Sequence, residues 1–203
     1  MSKMMPDLEG CFSGLLPERS QLLQKLEAQA EREDIKIVGP AVGRLLTILM
    51  KLSGGQRVLE LGTATGYSAL HIAQGLAPEG RLISLEHSQD RAAEARSNFL
   101  RAGVEKQVEV IVGDALQEIE NLQDQFDLAF LDIDKADYLR TLPHLHRLLR
   151  PGGLLVADNT GFSDAQPFNQ ALQTSPQWLE VNLLCYLPQH SPDYDGVGMA
   201  IRL

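Results

Sequence analysis

Four acidic positions stand where apolar runs end. Glu86 closes Leu-Ile-Ser-Leu-Glu, Asp114 follows Val-Ile-Val-Gly, Asp132 follows Phe-Asp-Leu-Ala-Phe-Leu, and Asp158-Asn159 follow Leu-Leu-Val-Ala. In open parallel sheets ligands sit beyond the carboxyl ends of the strands, so these side chains are the ones placed to do chemistry. Each one alone also reads as a helix cap or turn residue. All of them on one sheet edge point instead to a site. Glu86, twenty residues beyond Gly66, suits a carboxylate accepting both hydroxyls of a ribose, and Asp114 suits an acceptor for the exocyclic amine of a purine. Adjacent parallel strands lie about 4.8 Å apart, so Asp132, Asp158 and the Asn159 amide oxygen can converge on one point. An oxygen-only set without His or Cys suits a hard divalent ion such as magnesium, manganese or calcium.

The stretch Arg57–Leu70, RVLELGTATGYSAL, supplies the complementary half of such a site. Val58, Leu59 and Leu61 read as a buried parallel strand, and Tyr67, Leu70, Ile72 and Ala73 then recur at helical spacing. Gly62 lets the main chain turn and a ligand approach it, and Gly66 opens the helix with free N–H groups aimed at the same space. Neither G-x-G-x-x-G nor G-x-x-x-x-G-K-[ST] is present. The spacing is Glu60-x-Gly62-x-x-x-Gly66, which also fits an ordinary strand–helix turn.

The elements that must hold these residues follow from periodicity. Pro17 and Glu18 open a helix with Leu22, Leu23, Leu26 and Ala30 on one stripe, and Pro40 begins a second with Val42, Leu45, Leu46, Leu49 and Met50 inward, stopped by Gly54-Gly55. Residues 1–16 carry no clear period. Strands over 57–61, 81–86, 108–113, 126–133 and 153–158 alternate with helices over 66–76, 89–102, 115–122 and 136–149. That alternation predicts a doubly wound parallel sheet with helices on both faces. After a helix with Phe168, Ala171 and Leu172, the runs 179–187 and 196–203 have no room for a helix between them and pair as an antiparallel hairpin. The expected organisation is one domain, 1–203, with an N-terminal helical extension of about 1–53.

Bulk properties narrow the class. A chain of 203 residues buries roughly 70% of its extended surface, enough for one substantial core. The net charge of −9 argues against broad affinity for nucleic acid, which needs a basic face, and leaves room for a local basic patch for one RNA. Cys11 and Cys185 make neither a disulfide framework nor a zinc cluster. No apolar stretch approaches the ~20 residues of a membrane span and no signal-peptide core opens the chain, so a cytoplasmic protein without a membrane partner is expected. His144 and His146 read as surface or packing residues. His71, His87 and His190 show no spacing that pairs them with anything.

The motifs VLELGTATGYSAL, LISLEHSQDRAAEARSNFLRAGV, VIVGDA, FDLAFLDIDKADY and LLRPGGLLVADN, in this order and spacing, resemble the cation-dependent class I S-adenosylmethionine O-methyltransferases of the catechol and caffeoyl-coenzyme A type. IVGPAVGRLL before them and DGVGMAIRL at the C-terminus are also similar, so the resemblance covers roughly residues 35–203. It implies the Rossmann-like seven-stranded methyltransferase fold, five parallel strands plus a C-terminal antiparallel hairpin. Within it, Val38 and Gly39 border the methionine portion of S-adenosylmethionine. Glu60, Gly62, Tyr67 and Ser68 hold the cofactor from the glycine turn, Glu86 takes the ribose hydroxyls, and Asp114 and Ala115 face the adenine. Asp132, Asp158 and Asn159 bind a divalent cation, Asp132 borders the cofactor as well, and Lys135 is the general base that deprotonates the acceptor hydroxyl.

The expected activity is methyl transfer, with divalent-metal assistance, to a hydroxyl of a small aromatic, catechol- or phenol-like acceptor. A hydroxyuridine O-methyltransferase acting on transfer RNA, a non-catalytic S-adenosyl-ligand-binding protein and a dinucleotide-dependent oxidoreductase are the alternatives. Members with large aromatic substrates carry a Trp-Gly-containing segment after the Asp-Asn pair. Here Thr160-Gly-Phe-Ser-Asp-Ala runs almost directly into the next helix, which implies an acceptor pocket that is more open or completed by a neighbour. A homodimer is expected, since the N-terminal helices exceed what the two sheet faces require and relatives often pair through such segments.

Overall fold

Seven strands form one sheet in the computed structural model, which describes residues 3–203. The reading of 1–16 as aperiodic includes Met1 and Ser2, which lie outside the described residues. The strands are β1 Arg57–Leu61, β2 Arg81–Glu86, β3 Val108–Val112, β4 Phe126–Leu131, β5 Leu149–Ala157, β6 Trp178–Tyr186 and β7 Tyr194–Arg202. Their spatial order is β3-β2-β1-β4-β5-β7-β6. The first five run parallel, and β7 pairs antiparallel with both β5 and β6.

Between and before them lie α1 Leu8–Ser13, α2 Gln21–Glu33, α3 Gly39–Ser53, α4 Tyr67–Gly75, α5 Gln89–Ala102, α6 Ala115–Asn121, α7 Tyr138–Leu148 and α8 Gln166–Thr174. The short α1 has no counterpart in the sequence reading, because none of its residues is buried and no apolar stripe marks it. It forms around a local cap, with Asp7 Oδ1 accepting from Gly10 N at 2.8 Å. No helix among the described residues is long and apolar enough to cross a membrane.

Strand alternation divides the core into two layers. Leu128 and Phe130 of β4 join Val42, Leu46, Met50, Ile72 and Phe99 on one face, whereas Ala129 and Leu131 join Tyr138, Leu145, Phe168 and Trp178 on the other. Truncating one of the fully buried rings, such as Phe99 or Phe168, costs on the order of 3–5 kcal/mol.

Several boundaries shift by one to four residues from expectation, among them the first long helix, which starts at Gln21 behind its Ser20 cap rather than at Pro17, and β4, which ends at Leu131. Two further differences bear on the site. β5 begins at Leu149 rather than 153, because Leu149 already pairs with Phe126 and the Pro151-Gly152-Gly153 step is taken up as a register shift inside the strand. The helix expected over 136–149 starts as a 3-10 turn, Lys135–Asp137, and becomes α-helical only at Tyr138. That turn aims Lys135 back toward the strand end it follows.

Candidate active site

Register places the strand-end residues together. Leu61 pairs with Leu85 on one side and Leu131 on the other, so Gly62, Glu86 and Asp132 emerge from three neighbouring strands at one edge. β5 extends that edge, with Asp158 N donating to Leu131 O at 3.0 Å. Tyr138 ties β4 and β5 together there, its hydroxyl lying 3.2 Å from Leu131 O and 3.0 Å from Asp158 O. Gly62 has φ of +103°, and a β-carbon on it would lie 2.0 Å from Asp132 O. The glycine is therefore required first by the close approach of the β4 end.

A cavity of about 460 Å³ opens over this edge, lined by Val38, Gly62, Tyr67, Ser68, Glu86, Asp114, Ala115, Asp132 and Lys135 among others. That volume lies within the ~300–1,000 Å³ of small-molecule sites. The Glu86 carboxylate is held by the backbone, accepting from Ala64 N at 2.8 Å and Ser88 N at 2.9 Å. Asp114 caps α6 through Leu116 N and Gln117 N, at 2.9 and 3.1 Å, while also standing on the cavity rim. Tyr67 donates to Glu27 Oε1 at 2.6 Å, and Arg19 grips the same carboxylate, so α2 braces the wall from outside. At the far end Lys135 Nζ lies 2.9 Å from Asp132 Oδ1.

Four expected site residues, Glu60, Gly39, Asn159 and Asp158, do not line this cavity. Glu60 is fully buried and does not line the cavity. Its oxygens accept from Ser68 Oγ and Ser84 Oγ, so it supports Ser68 from behind. Burial pushes its carboxyl up to about 7, against the two serine hydrogen bonds, which favour the charged form. Gly39 does not line the cavity either. Its φ of +66° and missing β-carbon let Gln189 O and His190 N pack against it, where a Cβ would come within 2.8 and 3.0 Å. Asn159 is turned to the hairpin loop, donating to Asp195 Oδ2 at 2.6 Å and Ser191 O at 3.3 Å.

Asp158 is engaged by a residue that carries no motif. His190 Nε2 lies 2.9 and 3.1 Å from the two carboxylate oxygens, and His190 Nδ1 lies 2.7 Å from Pro192 O. Burial pulls the imidazole pKa down, but the Asp158 hydrogen bond and charge, with Pro192 O and Asp195, together raise it above the ordinary value. His190 also lines a neighbouring cavity that shares Ile35–Ile37 with the first.

Both carboxylates read from the strand ends thus already face partners of the chain, Asp132 facing Lys135 and Asp158 facing His190, while the Asn159 amide is turned by its Nδ2, which donates to Asp195 and Ser191 O. Among the described residues no group of three or more His, Cys, Asp or Glu side chains could hold a metal ion. The residues as arranged do not fit a divalent cation.

A doubly wound sheet ending in an antiparallel hairpin, with a glycine turn and a backbone-held carboxylate on one cavity, defines the class I methyltransferase architecture. The sequence profile of the O-methyltransferase family matches residues 15–173. The chain is 40% identical over 126 residues to a catechol O-methyltransferase of Niastella koreensis, covering 60% of this chain and 57% of that protein. It is 37% identical over 157 residues to a catechol O-methyltransferase of Mycobacterium tuberculosis, covering 76% and 71%. The solved O-methyltransferase of Bacillus cereus in complex with SAH superposes with a TM-score of 0.86 at 29% identity, covering 97% of each chain. An O-methyltransferase of Streptomyces achromogenes involved in tomaymycin synthesis, in complex with SAM, also gives 0.86, at 30% identity and 98% and 99% coverage. The chain belongs to this family of S-adenosylmethionine-dependent O-methyltransferases.

Proposed function

We propose that the protein methylates a hydroxyl of a small aromatic, catechol- or phenol-like acceptor. The observation that carries this reading is the two-ended cavity: the glycine turn with Glu86 at one end and the Asp132–Lys135 pair at the other. The catechol O-methyltransferase names of the relatives support the acceptor class. S-adenosylmethionine, when bound, supplies a methyl carbon already activated by its sulfonium.

The chain then has to bind, orient and manage one proton. Glu86, fixed by two backbone N–H groups, offers a preorganised acceptor pair for ribose hydroxyls. Tyr67 and Ser68, held by Glu27 and Glu60, fix the wall beside the turn. A phenolic hydroxyl is a weak nucleophile until it loses its proton. Lys135 is the group at the acceptor end that takes that proton as an amine or stabilises the oxyanion as an ammonium, and Asp132 holds its Nζ in place. Oxygen, methyl carbon and sulfur must be in line, which is a positioning task for these walls.

Titration calorimetry with S-adenosylhomocysteine and NAD, followed by a labelled-methyl screen of catechols, hydroxycinnamoyl esters, flavonoids and hydroxyuridine-containing transfer RNA, tests the proposal. Binding of the first ligand only and transfer to a catechol or phenol is expected. Transfer to the RNA alone, or preference for NAD, would overturn it.

A further inference from the structure

Asp158 and His190 meet in the interior, with side chains 2% and 1% exposed. The segment that delivers the imidazole is pinned from several directions. Leu187 N donates to Asp193 O at 2.6 Å and His190 N to Leu187 O at 2.9 Å, closing the loop between β6 and β7 on itself. Asn159 holds it through Ser191 O, Arg19 reaches Gln189 Oε1 at 3.3 Å, and Gly39 provides the bare backbone on which Gln189 and His190 rest. The imidazole is thus built in.

A divalent ion at this edge would need an open carboxylate oxygen on Asp158. Magnesium demands near-octahedral oxygen coordination at roughly 2.0–2.1 Å, and calcium still more oxygens. The carboxylate instead faces His190 Nε2 with both oxygens, and the other ring nitrogen faces the Pro192 carbonyl. Asp132 has its own partner in Lys135, and the Asn159 amide is oriented by Asp195. Both carboxylates that would have been ligands already have their counterparts from the chain, and the Asn159 amide is held by its nitrogen in the hairpin loop.

We infer that His190 takes the place of the divalent cation at the Asp158 carboxylate, so that the protein binds its methyl donor and holds its acceptor edge without a metal ion. His190 is a positioning residue: it acts on the acceptor edge through Asp158. The inference concerns the same edge as the proposed function but is tested without turnover, so the two fail separately.

The experiment is titration of Mn²⁺ into the chelator-treated protein saturated with S-adenosylhomocysteine, read by the paramagnetic resonance signal of free Mn²⁺ and by calorimetry. Wild type should leave the ion free at micromolar concentrations and should bind S-adenosylhomocysteine equally with and without chelator. His190→Ala, its fold checked by circular dichroism, should bind Mn²⁺ tighter by on the order of ten- to a hundredfold, the equivalent of freeing one charge-assisted hydrogen bond. Adding Asp158→Ala should abolish that gain. Micromolar Mn²⁺ binding by wild type would overturn the inference, and its loss in His190→Ala would make the imidazole a ligand instead. A folded His190→Ala that gains no affinity would overturn it equally. If His190→Ala does not fold, the wild-type titration and its chelator control decide alone.

Discussion

The hydroxyl of Tyr67 donates to Glu27 Oε1 across 2.6 Å, joining the helix that follows the glycine turn to α2. Arg19 binds the same carboxylate through Nε and Nη2 and carries the link to the loop that delivers His190. α2 and the Arg19 that precedes it therefore do more than cover a sheet face, since they brace the cavity wall and the loop carrying the Asp158 partner at once. Tyr67→Phe removes one partly buried hydrogen bond to a carboxylate and should cost about 1–2 kcal/mol in chemical denaturation. It should also weaken S-adenosylhomocysteine binding; an unchanged dissociation constant would mean that α2 contributes stability only.

Glu86 is a wall residue whose carboxylate is fixed by Ala64 N and Ser88 N. Glu86→Ala should lower S-adenosylhomocysteine affinity by roughly ten- to a hundredfold, the worth of a hydrogen-bonded charge. Calorimetry with 2′-deoxy and 3′-deoxy analogues checks the assignment. The penalty for either deoxygenation should vanish in the variant.

Lys135 and Asp132 form the ion pair at the far end of the cavity, the end proposed to receive the acceptor. Lys135→Ala should reduce turnover by something like 10²–10⁴-fold, the range for a positioned proton acceptor. Cofactor affinity should change little. Were the rate unaffected with the best acceptor from the screen, proton removal would belong to solvent or another group.

Two buried groups make the stability depend on pH in opposite senses. Among the described residues His71 has no hydrogen-bond partner for either ring nitrogen, and burial, aided by the Arg44 charge, lowers its pKa to about 4. Between its ordinary 6.5 and about 4 only the unfolded chain takes the proton, so stability present above 6.5 is lost as pH falls. His71→Leu should flatten that acid-side loss, which amounts to at most roughly 3 kcal/mol. Glu60 is the reverse: raised to about 7 by burial, it favours the fold while protonated, and this contribution is lost as pH rises from about 4.5 through 7. Glu60→Gln should therefore be relatively most stabilising at pH 8. Urea midpoints across pH 4.5–8 test both, and variant curves parallel to wild type would contradict these assignments.

By itself the sequence determined the order of elements and the edge on which the chemistry lies. Apolar runs of strand length and helical stripes are local signals, and a residue that ends a parallel strand is bound to emerge at the carboxyl edge, as Glu86, Asp114, Asp132 and Asp158 do. The short α1, the early start of β5 and the inward turn of Glu60 escaped that reading, because each depends on a cap, a pairing or a burial that no period records.

Tertiary structure alone decided the partner of each acidic side chain. Asp132 and Lys135 are neighbours along one turn, so their contact was within reach of spacing. Asp158 and His190 are separated by 32 positions. A lone histidine in a polar loop gives no periodic signal, and the hairpin of β6 and β7, the bare backbone of Gly39 and the Arg19–Gln189 contact are all needed to press its ring against that carboxylate. Local patterning fixes which residues reach the site, whereas the closing of long loops fixes what they touch once there, and that choice determines whether the edge presents open oxygens or an imidazole.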